Sequence, residues 1–197
     1  MSEREYLAFE EAAEGRHEFW DGEVVATSGG TWSHSLVKSN LVASLGVRLR
    51  GGPCVRADSD LRLLVKNRGP YFYPDASVVC GSPEFAPHEQ KQLTLLNPTA
   101  VFEVLSDSTE GRDRGEKFDR YREIPSLRTC VLVDPRKPRA NLFESRENGL
   151  WSIDVREGMD ASLPLEALGI EIPFTELYEN VSFEQGEPAP RTAEPEA

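Results

Sequence analysis

Three residues far apart in the chain, Asp75, Glu103 and Lys117, are of the types that can hydrolyse a phosphate ester. Asp75 directly follows Pro74, near the beginning of a β-prone run over Phe72–Cys80. A proline at a strand start is an ordinary structural choice, and an aspartate beside it is commonly just solvated. Glu103 stands inside Ala100-Val101-Phe102-Glu103-Val104-Leu105, a run of the kind expected for a central strand. Water is scarce in such a strand, so an ionised carboxylate there is paired with a cation or bound to a metal. A salt bridge to an arginine of residues 112–122, or an edge strand with a wet face, accounts for Glu103 as well as a functional role does. Lys117 lies one residue off the Arg114, Phe118 and Tyr121 stripe of the following helical stretch, where a lone lysine is ordinarily a solvated charge. The three together make a coherent device. Two carboxylates offer oxygen ligands to a hard cation such as Mg²⁺ or Mn²⁺, leaving positions for water and phosphate oxygens. The ion activates water and offsets phosphoryl charge, and a nearby ammonium orients the nucleophile or stabilises the developing charge.

The elements that must position these residues follow from local signals. Ser2 with Glu5 forms a capping box, and Tyr6, Leu7, Phe9 and Ala13 give a short first helix that Gly15 stops. Asp21-Gly22 between two β-prone runs predicts a hairpin with strands at about 17–20 and 23–27. Apolar residues at helical spacing from Ser33 to Arg50 predict a long amphipathic helix, ended by Gly51-Gly52-Pro53. Three β-prone segments, Cys54–Ala57, Leu61–Lys66 and Phe72–Cys80, suggest a meander, and residues 81–98 read as a long loop. A strand at 99–105, a helix at 111–123 and a strand at 128–134 come next. A hairpin around Asn148-Gly149 and a short helix at 174–180 complete the order, with no internal repeat. This is an α+β plan with a mixed β-sheet flanked by helices, rather than a regular alternation. Residues 1–183 form one expected domain, and the Pro/Glu/Ala-rich segment 184–197 is expected to be a disordered acidic tail.

Composition narrows the functional classes. The 197 residues suit one domain with its own core. No apolar run approaches the roughly 20 residues of a membrane helix. The start lacks a basic stretch followed by an apolar one, so the expected compartment is the cytoplasm. Cys54, Cys80 and Cys130 form no CxxC pair and read as small buried apolar residues. The net charge of −12 weighs against a tight non-specific nucleic-acid binder. Residues 1–23 contribute −6 and residues 176–197 contribute −5, however, which leaves −1 to the body of the chain. The body also holds basic stretches, six bases against two acids over 48–68 and five against three over 112–122. A polyanionic substrate therefore stays open.

With these residues in hand the sequence resembles a known group. Pro74-Asp75, Glu103 in Phe-Glu-Val-Leu-Ser-Asp-Ser-Thr-Glu, Asp113-Arg-Gly-Glu-Lys117-Phe-Asp-Arg-Tyr121, Ile-Pro-Ser-Leu and Val-Leu-Val-Asp134 are similar to the Uma-two restriction-endonuclease family, of the PD-(D/E)xK nuclease superfamily. Gly15-Arg-His-Glu18, Asp21-Gly22-Glu23 and His34 extend the likeness to residues 6–181. It implies a restriction-endonuclease-like core, with Asp75 and Glu103 binding a divalent metal and a lysine completing the site. The superfamily usually carries that lysine two residues after the glutamate, where this chain has Leu105, so Lys117 would stand in from the next helix. Glu18 matches a recurring glutamate that binds either a second metal or its water, or else makes a structural salt bridge. His34, at the start of the long helix, is a general base or a polar residue of the helix N-terminus before it is a metal ligand. Asp58 and Asp60 read as turn residues.

The resemblance implies a Mg²⁺- or Mn²⁺-dependent endonuclease acting on DNA. A nuclease-fold module that binds DNA or regulates without cutting is the alternative, and the missing usual lysine and the acidic termini lean towards it. A small-molecule hydrolase is the poorest reading, because no Ser/His/Asp or Cys/His arrangement is apparent. Nucleases of this fold often pair so that two sites meet two strands, and symmetric pairing is the commonest oligomer, so a homodimer is expected.

Overall fold

The computed structural model describes residues 1–27, 29–66, 69–87, 89, 91–106 and 112–183. The expected tail at 184–197 lies outside the described residues. Helix α1 (Glu3–Ala12) opens on the expected capping box: Ser2 Oγ accepts the Glu5 N–H, and the Ser2 N–H donates to Glu5 Oε2 at 2.7 Å. The hairpin of β1 (His17–Trp20) and β2 (Glu23–Ala26) turns on Asp21 and Gly22, both with positive φ, as a two-residue turn matched to strand twist requires. The long helix α2 spans Trp32–Arg48, and its N-cap Thr31 accepts the His34 N–H.

The expected meander resolves instead into two nested hairpins. Strand β3 (Cys54–Asp58) pairs with β6 (Ala76–Cys80), and between them β4 (Arg62–Leu64) pairs with β5 (Tyr71–Phe72) in a different sheet. Tyr73-Pro74-Asp75 splits the run read as one strand, Pro74 having no N–H to give a ladder. The long loop also holds β7 (Thr94–Leu95), parallel to β4. The central strand is β8 (Ala100–Val104), parallel to β9 (Thr129–Asp134), and both are buried along their whole length. The crossover between them was read as one regular helix. It contains a π-helical stretch, Arg112–Lys117, running into one turn of α-helix, α3 (Phe118–Tyr121). Strands β10 (Arg139–Ser145) and β11 (Trp151–Glu157) form the expected hairpin. A further hairpin, β12 (Ser162–Leu165) with β13 (Ile170–Pro173), precedes α4 (Phe174–Leu177) and has no counterpart in the sequence reading.

These strands build a six-stranded sheet, β11-β10-β9-β8-β6-β3, and a five-stranded sheet, β2-β1-β5-β4-β7, both mixed. On one face of the larger sheet, Val37, Leu41 and Leu45 of α2 pack against Ala76, Phe102 and Val131, and β12, β13 and α4 close that core. On the other face, Val101, Leu105 and Leu132 meet Leu63, Phe72 and Tyr121 from the smaller sheet and α3. This is the expected α+β architecture, a mixed sheet flanked by helices, and no described helix is long and apolar enough to cross a membrane.

Two of the three cysteines are not lone apolar residues. The β3–β6 register sets Cys54 directly opposite Cys80, and the two form a disulfide across the ladder. Cys130 is buried as expected, in the core beneath the smaller sheet.

Candidate active site

The site is built at the end of the β6–β8 ladder. The register pairs Ala76 with Phe102, so the next position outward sets Asp75 against Glu103. Glu103 alternates with Phe102 and Val104, so its side chain leaves β8 on the α3 side of the sheet while theirs pack towards α2. Asp75, freed from the strand by Pro74, takes the place of a ladder acceptor: its Oδ2 accepts the Val104 N–H at 2.8 Å. The same carboxylate faces α2, with Oδ1 3.2 Å from Lys38 Nζ and Oδ2 3.6 Å from His34 Nε2. Burial pushes the Asp75 carboxyl up, but His34, Lys38 and the Val104 N–H outweigh it and hold the group below its ordinary value. It is therefore an anion aimed at the cleft.

Glu103 has a different environment. Lys117 Nζ stands 3.0 Å from Glu103 Oε1 and 2.8 Å from Glu18 Oε1, and the Tyr121 hydroxyl donates to Glu103 Oε1 at 2.6 Å. Burial raises the Tyr121 phenol well above its ordinary range, and the negative charges of Glu103 and Glu18 add to that, so it remains a donor. Glu18 is fixed in turn by the Trp20 indole N–H at 3.2 Å and the Tyr73 backbone N–H at 3.2 Å. Lys117 thus reaches the sheet from the last residue of the π-helical stretch, whose wider turn is a feature often found at functional sites. Leu105, where the superfamily pattern has lysine, is instead core, packed with Val101 and Tyr121.

Asp75, Glu103, Lys117, Glu18 and His34 all line one cleft of about 1160 Å³. Asp75, Glu103 and Glu18 each already carry an ammonium partner. Glu18 makes an ion pair to Lys117, the structural alternative weighed for it, and does so inside the cleft. The imidazole of His34 lies against Gly30, where a Cβ would collide with Nδ1, so only glycine admits the ring there. Asp58 and Asp60 are turn residues, the Asp60 N–H donating to Asp58 Oδ1 at 3.0 Å, although Asp58 also borders the cleft.

Two participants were missed from sequence. Lys38 lies four residues after His34, hence on the same helix face, and that spacing was its only signal. Tyr121 was read as part of an apolar stripe, and its hydroxyl is what reaches Glu103.

Among the described residues no group of three or more His, Cys, Asp or Glu side chains is arranged to hold a metal. Of the carboxylates that line the cleft, Asp75 and Glu103 are the two placed at the β6–β8 strand end. That is a hard-oxygen set that suits Mg²⁺ or Mn²⁺, which keep water and phosphate oxygens in their remaining positions.

The family model of Uma2, described as "Putative restriction endonuclease", matches residues 4–175. The uncharacterized protein slr1290 of Synechocystis sp. is 33% identical over 184 residues, covering 93% of this chain and 94% of that protein. The uncharacterized protein sll1609 of the same organism is 31% identical over 170 residues, covering 86% and 95%. Among solved structures, a crystal structure from Anabaena variabilis described as "a putative nuclease belonging to DUF820" superposes with a TM-score of 0.73 at 17% identity, covering 90% of this chain and 97% of that one. That likeness concerns the fold.

Proposed function

Because the chain belongs to the Uma2 restriction-endonuclease family, we propose that it is a divalent-metal-dependent endonuclease that hydrolyses DNA phosphodiester bonds. The observation that carries this reading is that Asp75, turned towards α2, and Glu103, on the α3 side, come from one strand end and line one cleft that Lys117 also enters. Asp75 and Glu103 would hold Mg²⁺ or Mn²⁺, which when bound would supply an activated water and offset charge on the phosphate. Lys117 would position that water or stabilise the charge developing on the phosphoryl oxygens, its ammonium held in place by Glu18 and Glu103. Tyr121 would orient the Glu103 carboxylate. Glu18 would act as a positioning residue through Lys117. His34 would polarise Asp75 or accept a proton, standing 3.6 Å from it. Residues 1–183 would constitute the catalytic domain.

One observation favours the second reading, a nuclease-fold module that binds DNA without cutting: both carboxylates already have lysine partners, so an entering ion must compete with ammonium groups. Incubation of supercoiled plasmid with the protein and Mg²⁺ or Mn²⁺ separates the two. Nicking or linearisation that stops with chelator, and is lost in Asp75→Ala and Glu103→Gln, supports catalysis. Retardation of DNA without cleavage under every metal tried rejects it in favour of the module.

A further inference from the structure

Two of the three tryptophans are packed: Trp20 lies on Phe72 with ring centroids 4.4 Å apart, and Trp151 meets Phe118 edge-on at 5.5 Å. Trp32, the first residue of α2, is 76% exposed. A single exposed apolar side chain is ordinary on a protein surface. Its place sets this one apart. Gly30, two residues before it, and His34 and Ser35, two and three residues after, line the candidate active-site cleft. Ser35 and Ser39 follow Trp32 by three and seven residues, so the three share one helix face, and both serines line the cleft. Val37, Leu41 and Leu45 turn the other face of α2 into the core. Trp32 thus continues the cleft wall by one helical turn and stands at its mouth. Lys38, which reaches Asp75, comes six residues later, about 9 Å along the helix axis. That is about two to three stacked base steps of roughly 3.4 Å each.

We propose that Trp32 is a base-stacking residue at the mouth of the cleft, and that the DNA taken there is single-stranded, or has an unpaired end, in preference to intact duplex. The identity of the polymer rests on the proposed nuclease function, and the stacking site adds its form. In a duplex the bases already stack on one another, so an exposed indole finds a π-face only on an unpaired base. The charge of the cleft points the same way. Among the described residues its lining has four basic side chains against five acidic ones, which offers little of the counterion release that drives duplex binding. Stacking needs no such charge and tolerates any base. The hydroxyls of Ser35 and Ser39 supply neutral donors for the phosphate and sugar oxygens of a strand led inward from Trp32. Depth also matters. Glu103 and Lys117 are 4% and 5% exposed, so the candidate chemistry lies at the cleft floor, where one strand enters more readily than two.

Fluorescence anisotropy with labelled oligothymidylate and with a blunt hairpin duplex, both in Ca²⁺, tests the site by binding alone. The wild-type chain should bind the single strand more tightly. Trp32→Ala should weaken that binding about 5- to 150-fold, the loss of one stacked base, and change duplex binding by less than about twofold. Because the position is exposed, the variant should unfold at the wild-type temperature. Trp32→Phe keeps a ring and should retain most of the affinity, while losing the quenching of indole fluorescence that the single strand produces in the wild type. Wild-type affinity for oligothymidylate in Trp32→Ala, an equal loss on both DNA forms, or a wild-type preference for duplex overturns the proposal. If that happens while the wild type still cuts plasmid, the nuclease reading survives without the stacking site. Conversely, Trp32-dependent binding of the single strand with no cleavage of any DNA in Mg²⁺ or Mn²⁺ ends the nuclease reading and leaves the stacking site standing.

Discussion

Lys117 neutralises two carboxylates at once while only 5% exposed, with Glu18 and Glu103 at 6% and 4%. Taking one ion out of such a buried set leaves the others without counter-charge, which typically costs about 3–5 kcal/mol. Lys117→Met should therefore lower stability by roughly that amount in urea denaturation, and adding Glu18→Gln should recover part of it, since one uncompensated acid is then gone. Lys38 is the contrasting case. It is more exposed and pairs with Asp75 at the cleft wall, so Lys38→Met should change stability by less than about 1 kcal/mol. Its ammonium competes with a cation for the same carboxylate, so the variant should bind Mn²⁺ more tightly in calorimetry, and unchanged or weaker binding would remove that competition from the account. The two lysines also differ in how far the sequence exposed them. Lys117 could be picked out as a lysine on the helix that follows the Glu103 strand, although the cation expected to pair with Glu103 was an arginine of residues 112–122. Lys38 could not, because nothing local says that Asp75 leaves the ladder and turns towards α2.

At the scale of elements, the signals that held were those contained within a few residues. The Ser2 and Glu5 capping box, the Asp21-Gly22 turn and the Asn148-Gly149 turn each specify their own backbone geometry. What failed depends mostly on partners far along the chain: the nesting of β4–β5 inside β3–β6 and the disulfide that follows from the register of β3 on β6. The β12–β13 hairpin is local, but Pro164 inside its first strand weakens the strand signal there. The turn from β9 to β10 carries a test of local design. Asp134 Oδ1 accepts the Arg136 backbone N–H at 3.0 Å and its Nε–H at 2.9 Å. Burial pushes the Asp134 carboxyl up, and the bonds and charge of Arg136 outweigh that, leaving it below its ordinary value. A carboxyl depressed on folding adds stability above its unfolded pKa, near 4, and loses it as pH falls through the folded value. Asp134→Asn should cost about 1 kcal/mol at neutral pH, and the difference from wild type should shrink as the medium is acidified below about pH 4. A difference that stays constant across that range would mean that the loss is geometric.

For the whole molecule the question is how a chain of net charge −12 could hold a polyanion. The charge is concentrated at the two ends of the sequence, and the cleft is lined by cations and acids in nearly equal measure. Its cations are Arg16, Lys38, Arg56 and Lys117, of which Arg16 is paired with Asp60 and Lys117 is buried between acids. Few of them can displace counterions from DNA. Each phosphate neutralised adds about 0.9 to the salt slope of binding, so these four residues allow a log–log slope of about −2 to −4 at most. Binding measured by fluorescence anisotropy against salt should be weak and shallow in this sense without divalent ions. It should strengthen when Mn²⁺ or Ca²⁺ offsets the Asp75 and Glu103 charges. A slope steeper than about −6 would need more basic contacts than the cleft supplies, and would move the DNA-binding face to another part of the surface.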